Sequence, residues 1–371
     1  MQLSNEDNLR LNVLLAQSPQ VIRINENRME VQALTARGEA KVALNPTGHA
    51  ERYLSAVREL LSIKATGSPS GYPVFMKRWT RTGYLTNNLE KMLLLGEPEA
   101  IVAVSHAPTI TLPIAQWAWW ANPSNEVAMG LLHHQVVVDS KLGLELAQQL
   151  IEFMPYEENS KTRVDMLRLC LQKDLLTAAQ HKQLWQRTKR QNLYYVGFAF
   201  ARGDIIPLDD PAHPAAIEIQ SAFKRAEVVD NPWATMLCYL LSADGQRWLQ
   251  VIYGGLQKPA DPEVVAALFT ALDQRFNVPK PRGGMREFSD IQQQVHQWLT
   301  AGSDDLALNT CMAAVPTDHL PLLKAMLVLS QLGENSLNPI LGRSDAIGSV
   351  LRKHLKPLFG PVEKQVIALL A

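Results

Sequence analysis

Hydrophobic residues follow two different periods along this chain. Near the N-terminus they recur at every second position, at Ile22, Ile24, Met29, Val31, Ala33, Ala40, Val42 and Leu44. This alternation is typical of strands with one buried face. The bends at residues 25–28 and 35–38 contain Asn and Gly, which accept the dihedral angles of turns. We therefore predict a small antiparallel β meander, preceded by a short helix over residues 9–15 with Ser4 as its N-cap.

A helical period replaces the alternation from residue 47 onward. Leu54, Val57 and Leu61 are spaced by three or four residues, and similar groups recur to the end of the chain. Helix starts are predicted at the Asn-Pro and Asp-Pro pairs of residues 122–123, 231–232 and 261–262, because Asn or Asp caps free N–H groups and proline lacks one. The pattern predicts a mainly α protein, an irregular or HEAT-like helical array with a small N-terminal antiparallel β meander.

Breaks in the helical pattern suggest where the chain divides. A turn-rich loop occupies residues 66–73, and residues 203–214 contain three prolines and three aspartates. We predict an N-terminal region over 1–66 with a short helix, the meander and a second helix. Helical subdomains are predicted over 67–203 and 204–371.

One apolar stretch has the length of a membrane span. Residues 100–125 contain no Asp, Glu, Lys or Arg, but Pro108 and Pro113 interrupt them. The run at 107–109 is typical of a break between two helices, so a buried helical hairpin is predicted instead. The first residues carry acidic side chains where an export signal carries basic ones. We expect a soluble, cytoplasmic protein.

The composition excludes a disordered, collagen-like or coiled-coil protein, and the charge balance limits which partners the chain attracts. The 371 residues are 47% hydrophobic and 19% charged, which is ordinary for a folded globular protein. Lys and Arg balance Asp and Glu at 36 each, so no overall charge attracts the chain to nucleic acid or to an anionic membrane. The three cysteines form no C-x-x-C pair, which favours a reducing compartment. His133 and His134 are adjacent and would point apart on a helix, so they do not predict a metal site. No other cofactor is predicted.

No catalytic motif is present in the sequence. The serine nucleophile elbow G-x-S-x-G and the glycine-rich nucleotide loops are both absent. Cys170 and Cys238 lie in apolar helical runs and are predicted to be buried. Cys311 lies in the middle of a predicted helix, and no Lys, Arg or His lies beside it to lower its pKa, so a reactive thiol is not favoured there. The sequence therefore predicts a protein that is not an enzyme.

Two basic segments are the candidate binding sites. Lys77, Arg78 and Arg81 surround Trp79, and residues 161–190 hold eight Lys or Arg against two Asp. The candidate binding residues of this second segment are Lys182, Arg187, Lys189 and Arg190. On one helix these four would not form a single stripe, which favours an ordinary solvated face. The functional alternatives are a surface for an acidic protein partner and a phosphate- or RNA-contacting patch.

Several sequence runs resemble a known family. They are GYPVFMKRWTRTG at residues 71–83, LLLGEPEA at 93–100, AWW at 118–120 and YYVGF at 194–198. Together they resemble the DsrS family, the sulfur reduction proteins encoded with the dissimilatory sulfite reductase genes of sulfur-oxidising bacteria. The resemblance covers residues from about 57 to 200. It implies a soluble cytoplasmic protein in the pathway that oxidises stored or carried sulfur, without implying catalytic residues or a cofactor.

These observations lead to one expected function and two alternatives. We expect a non-enzymatic cytoplasmic accessory or regulatory protein of dissimilatory sulfur oxidation that acts through protein–protein contacts. The first alternative is an RNA-binding regulator that uses the basic surface, with RNA a less favoured partner than protein. The second is a sulfur-handling enzyme or carrier that uses a thiol.

Overall fold

The computed structural model describes residues 3–46, 48–67, 88–278, 287–342 and 346–371. The chain divides into two compact units, Met1–Phe153 and Met154–Ala371. The described residues form twenty α-helices and one three-stranded sheet. The predicted mainly α fold with an N-terminal β meander is therefore confirmed. The finer division at residues 66–67 and 203–204 stays a prediction.

The first unit contains the sheet. Its described elements are α1 (Asn5–Ala16), β1 (Val21–Asn25), β2 (Glu30–Thr35), β3 (Gly38–Ala43), α2 (Ala50–Thr66), α3 (Leu89–Met92), α4 (Pro98–Ser105), α5 (Leu112–Ala121), α6 (Asn125–Leu131), α7 (Gln135–Val138) and α8 (Lys141–Phe153). The strands pair antiparallel in the order β1–β2–β3. Ser4 accepts a hydrogen bond from the Asp7 backbone N–H, so the predicted cap of α1 is confirmed.

The core of this region lies between the sheet and two helices. Buried apolar side chains of the strands, including Ile22 and Val31, meet Leu11 of α1 and Leu61 of α2. The alternation along the strands therefore places one face of the meander against α1 and α2, as the period of two requires. Asp7 is buried beside this core, where its carboxylate accepts hydrogen bonds from the Tyr53 hydroxyl (2.5 Å) and the Asn45 N–H (2.8 Å).

The apolar stretch at residues 100–125 folds as predicted around its prolines. It forms the end of α4 and all of α5, with the break at residues 106–111. Ala100, Ile101 and Val104 of α4 are buried. Within the described ranges, no single helix is long and apolar enough to cross a membrane. One pair of helical segments, at residues 306–314 and 317–330, has the required length and composition only together, and it bends by 115°.

One predicted helix start is wrong. Asn122 ends α5 as its C-cap and does not begin the next helix, which starts at Asn125. The Ser124 side chain caps that helix by accepting a hydrogen bond from the Val127 N–H (3.3 Å). The other two predicted starts are confirmed, since Asn231 and Asp261 both cap helices whose first residue is proline.

In the second unit, all regular secondary structure of the described residues is helical. Its α-helices are α9 (Ser160–Cys170), α10 (Ala178–Gln186), α11 (Leu193–Ala199), α12 (Ala216–Arg225), α13 (Pro232–Leu241), α14 (Ala243–Leu256), α15 (Pro262–Phe276), α16 (Phe288–Ala301), α17 (Leu306–Ala314), α18 (Leu320–Ser330), α19 (Asn338–Leu341) and α20 (Gly348–Leu369). Short 3₁₀ turns separate several of them.

Helix α14 is the centre of this unit. It packs against α11, α13 and α20. Trp248 is fully buried, and its indole N–H donates to the Ala199 carbonyl of α11 (2.9 Å). Gln246 is also buried, and its amide nitrogen donates to the carbonyls of Leu240 and Leu369, both at 2.9 Å. These bonds attach α14 to its neighbours while satisfying buried polar groups.

Candidate functional site

The predicted basic residues that the structure describes lie in three different places. Lys182 is exposed on α10, and Arg187 is half-buried at the start of the 3₁₀ turn Arg187–Lys189. Lys189 and Arg190 are exposed in the connection that leads to α11. The remaining candidates Lys77, Arg78 and Arg81 lie outside the described residues.

The separation follows from how α10 ends. The helix begins with a capping box formed by Thr177 and Gln180. After Gln186 the chain tightens into the 3₁₀ turn, where the Thr188 hydroxyl donates to the Trp185 carbonyl (2.7 Å). A 3₁₀ turn rotates successive side chains by about 120° instead of 100°, so the helical face of Lys182 does not continue. The four cations therefore do not form a single stripe.

Lys189 and Arg190 line an open cleft within the second unit. Its volume is about 620 Å³. The lining comes from three parts of the chain, namely Ser160 and Arg163; Thr188, Lys189, Arg190, Gln191, Asn192, Leu193 and Tyr195; and Gly254, Gln257, Lys258, Ala260, Asp261 and Val264. We call it the cationic cleft, because Arg163, Lys189, Arg190 and Lys258 are accompanied by a single acidic residue, Asp261.

Three of these cations have no acidic partner. Lys189, Arg190 and Lys258 form no ion pair or side-chain hydrogen bond with any described residue. Asp261 is occupied as the cap of α15, where its carboxylate accepts from the N–H groups of Glu263 (2.8 Å) and Val264 (3.4 Å). Among the described residues that line the cleft, four cations therefore face one carboxylate, which favours an anionic ligand.

Neutral groups hold the fourth cation in place. Arg163 donates to the Gln191 side-chain oxygen (2.5 Å) and to the Tyr194 hydroxyl (3.4 Å). Arg187 reaches the same hydroxyl from the other side (3.2 Å), and both guanidinium groups lie within 6 Å of the Tyr194 ring centre. Uncharged groups thus fix the positions of the two arginines without neutralising them through an ion pair.

Asn192 joins the two sides of the cleft. Its side-chain nitrogen donates to the carbonyls of Gly254 (3.1 Å), Gly255 (3.0 Å) and Gln257 (2.6 Å) at the end of α14. The Gly254 carbonyl also accepts from the backbone N–H of the C-cap Gln257 (3.1 Å). The amide thus adds a side-chain donor at the end of the helix, where the last carbonyls lack intrahelical donors. The amide therefore attaches the Lys189–Arg190 connection to the segment that carries Lys258.

The sequence pattern identified only part of this site. Arg163 lies in the basic segment 161–190 but was not distinguished from its neighbours, and Lys258 lies far outside that segment. Asn192 carries no charge and has no motif around it. The only local signal is the pairing of Lys258 with Pro259 just before the cap at Asp261, which marks a loop that leads into a helix.

The environments of the cysteines bear on the thiol alternative. Cys170 and Cys311 are fully buried, whereas Cys238 is half-buried. Cys238 is therefore less buried than predicted, and Cys311 is the more deeply buried of these two cysteines. Burial raises the pKa of all three thiols. It raises the pKa of Cys311 to about 12, with a smaller contribution from Cys238.

Alkylation measures this directly. At pH 8 a raised pKa leaves almost none of a thiol as thiolate, the form that reacts. We expect iodoacetamide to leave Cys170 and Cys311 unmodified in the folded protein and to modify all three cysteines after denaturation. Peptide mass spectrometry of both samples checks this. Rapid modification of Cys170 or Cys311 under native conditions would contradict their burial and support a carrier thiol.

The two adjacent histidines, His133 and His134, contact other residues of the protein. His134 donates from its Nε2 to the Ser105 carbonyl (2.9 Å), and the ring of His133 lies 6.4 Å from that of His106. Across the described part of the chain, no three His, Cys, Asp or Glu side chains are grouped so that they could hold a metal ion.

Comparison with known proteins adds no relative. No family model matches the chain, and no match was found among curated proteins or solved structures.

Proposed function

We propose that this protein is a non-enzymatic accessory or regulatory protein of dissimilatory sulfur oxidation that acts through contacts with another protein of the pathway. Its cationic cleft is the site where it binds an anionic group. The setting in sulfur oxidation rests on the resemblance of residues 71–83, 93–100, 118–120 and 194–198 to the DsrS family. The binding role rests on the cleft.

One observation supports the binding role above the others. Lys189, Arg190 and Lys258 come from two distant parts of the chain, converge on one concave surface and have no acidic partner among the residues that the structure describes. Cations on a solvated face are usually dispersed among acidic residues, so their concentration in a cleft indicates attraction for an anion. The thiol alternative has less support, because burial raises the pKa of every cysteine.

Charge reversal in the cleft tests the proposal. The double variant Lys189→Glu/Arg190→Glu is compared with Lys182→Glu/Arg225→Glu, which makes the same change of charge at two exposed residues outside the cleft. Inorganic phosphate is the probe, and calorimetric titration measures its affinity. We expect the cleft variant to bind phosphate about tenfold more weakly and the control to bind like the wild type.

The same variants address function in cells. Both should keep the wild-type stability to within about 0.5 kcal/mol, because the substituted side chains are exposed. In a deletion strain growing on reduced sulfur, the control should restore the rate of sulfur oxidation and the cleft variant should not. Equal restoration by both variants would show that the cleft has no role in the pathway.

RNA binding is the competing outcome. A basic surface that contacts RNA would show an affinity that falls steeply with salt concentration and depends on many cations. If Lys182→Glu/Arg225→Glu weakened the binding of single-stranded RNA as much as the cleft variant did, a diffuse RNA surface would replace the cleft in this proposal.

A further inference from the structure

An aromatic pocket adjoins the cationic cleft. It has a volume of about 470 Å³ and is lined by Trp185, Tyr195, Leu208, Asp210, Gln250, Tyr253, Gly254 and Gln257. Three of these residues, Tyr195, Gly254 and Gln257, also line the cleft. A ligand held by the cations of the cleft is therefore beside the rings of the pocket.

The packing of the rings makes the pocket a preformed surface. The Trp185 ring meets Tyr195 and Phe198 edge to face, with ring centres 5.4 Å and 5.2 Å apart. Tyr195 in turn lies against the backbone of α14 at Gly254, where an added Cβ would come within 2.4 Å of the tyrosine ring. Trp185 and Tyr195 are nevertheless half-exposed, as is Tyr253. They therefore present fixed aromatic surface to a ligand.

Asp210 provides a polar group in this apolar environment. One of its carboxylate oxygens, Oδ2, is buried and accepts no hydrogen bond from the described residues. Buried carboxylate oxygens are nearly always paired, and a carboxylate can only accept. Asp210 therefore favours a ligand that brings a hydrogen-bond donor. The Gln250 side chain also lines the pocket and has no hydrogen-bond partner among the described residues.

We infer that the cleft and the pocket together bind a nucleoside phosphate whose base carries an amino group. The phosphate lies among Lys189, Arg190 and Lys258, the base lies against the aromatic rings, and the amino group donates to Asp210. This inference rests on the proposed anion binding by the cleft and specifies the ligand. An inorganic anion would leave the pocket empty, and an apolar ligand would leave both the carboxylate and the cations without partners.

The distribution of charge favours a mononucleotide over RNA. Proteins that bind single-stranded nucleic acid combine stacking rings with a basic groove that follows the backbone over several nucleotides. Here the unpaired cations of the lining are confined to the cleft. Lys182 projects from α10 outside the lining, and Arg187 is directed to the Tyr194 hydroxyl. In the described part of the unit, neither residue extends the basic surface along a strand.

Calorimetric titration with AMP, purine riboside 5′-monophosphate and inorganic phosphate tests the inference. The two nucleotides have the same purine ring system, and only AMP carries an amino group on it. We expect AMP to bind at least about tenfold more tightly than phosphate, since stacking of one base contributes about that much. Purine riboside 5′-monophosphate should bind more weakly than AMP, because it has no amino group to donate to Asp210.

Two variants separate the parts of the site. Asp210→Ala should abolish the preference for AMP over purine riboside 5′-monophosphate without changing phosphate binding. Tyr253→Ala should weaken AMP binding roughly tenfold by removing one ring. The matched control is Asp209→Ala, which removes the neighbouring exposed carboxylate that does not line the pocket. Lys189→Glu/Arg190→Glu should weaken AMP and phosphate alike. The melting temperature of each variant confirms that it is folded.

The outcomes distinguish this inference from the proposed function. If phosphate binds and AMP binds no more tightly, the nucleotide inference is wrong and the anion site stands. If neither binds, both are wrong. If a single-stranded RNA of twelve nucleotides binds and AMP does not displace it, RNA replaces the nucleotide as the ligand. An unchanged AMP preference in a folded Asp210→Ala variant would remove Asp210 from base recognition.

Discussion

Replacing Trp248 with alanine is expected to lower the free energy of unfolding by about 3–5 kcal/mol, the range for a large buried aromatic side chain. The indole is fully buried in α14, so its loss leaves a cavity. The Ala199 carbonyl also loses its hydrogen-bond donor. The Arg275 guanidinium, 5.1 Å from the Trp248 ring centre, loses one of its two aromatic partners. Urea denaturation followed by circular dichroism measures the change.

Two further variants make this result interpretable. Trp248→Phe keeps much of the apolar volume and loses the N–H donor, so it should cost less, about 1–3 kcal/mol. Trp298→Ala removes the same side chain from a half-exposed position of α16 in the same unit, and its cost should be about 1–2 kcal/mol. Equal costs for Trp248→Ala and Trp298→Ala would show that Trp248 is not the central side chain of this unit.

Replacing Asn192 with alanine is expected to cost about 1–2 kcal/mol of stability and to weaken phosphate binding. The change removes the side-chain donor to the carbonyls of Gly254, Gly255 and Gln257. The Gly254 carbonyl keeps the Gln257 N–H and the Gln257 carbonyl is exposed to water, so the main cost is the carbonyl of the buried Gly255. It also releases the Lys189–Arg190 connection from the segment that carries Lys258. Thermal unfolding and phosphate titration measure the two effects.

Asn192→Asp separates the hydrogen bonds from the size of the side chain. The carboxylate has the same shape, but it accepts where the amide donates and so faces three carbonyl oxygens. It also adds a negative charge at the cationic cleft. We expect it to bind phosphate more weakly than Asn192→Ala does. Gln183→Ala, at an exposed residue of α10, serves as the control. Wild-type stability of Asn192→Ala would contradict the joining role of this side chain.

The predictions for Trp248 and Asn192 concern two contacts between the same pair of helices, α11 and α14, in the second unit. Trp248 holds α11 against α14, and Asn192 then connects the start of α11 to the end of α14. The cleft and the aromatic pocket both lie at this junction. A ligand that binds there contacts the ends of helices whose interiors are fixed by the core, so the site needs little reorganisation on binding.

Hydrophobic periodicity and helix caps predicted the local structure correctly where few alternative conformations fitted the sequence. The strands follow from an alternation that only one buried face can explain, and Asn231 and Asp261 cap helices because each precedes a proline at the first helical position. The same reasoning is wrong at Asn122. There the pair follows a helix directly, and Ser124, two residues later, provides the better-placed oxygen for the next helix.

Burial within apolar helices was harder to predict. Cys238 and Cys311 both lie in runs of apolar residues, and the run around Cys238 is the longer one. Cys311 is nevertheless fully buried and Cys238 only partly so. Which face of an apolar helix meets the core depends on the helices packed around it, and a hydrophobic run that surrounds the whole helix contains no information about that choice.

The sequence by itself determined the class of fold, the position of the β meander, the helix starts at Ser4, Asn231 and Asp261, and the presence of a basic segment near residues 161–190. These depend on interactions between residues close together in the chain, which periodicity and caps record. Only the tertiary structure decided that Lys189 and Arg190 leave the helical face of Lys182 and join Lys258 and Arg163 in a cleft beside Trp185 and Asp210. The partners in that site are tens of residues apart. Their proximity depends on how α9, α11, α14 and α15 pack, which is set by complementary side-chain volumes across the core and not by any spacing along the chain.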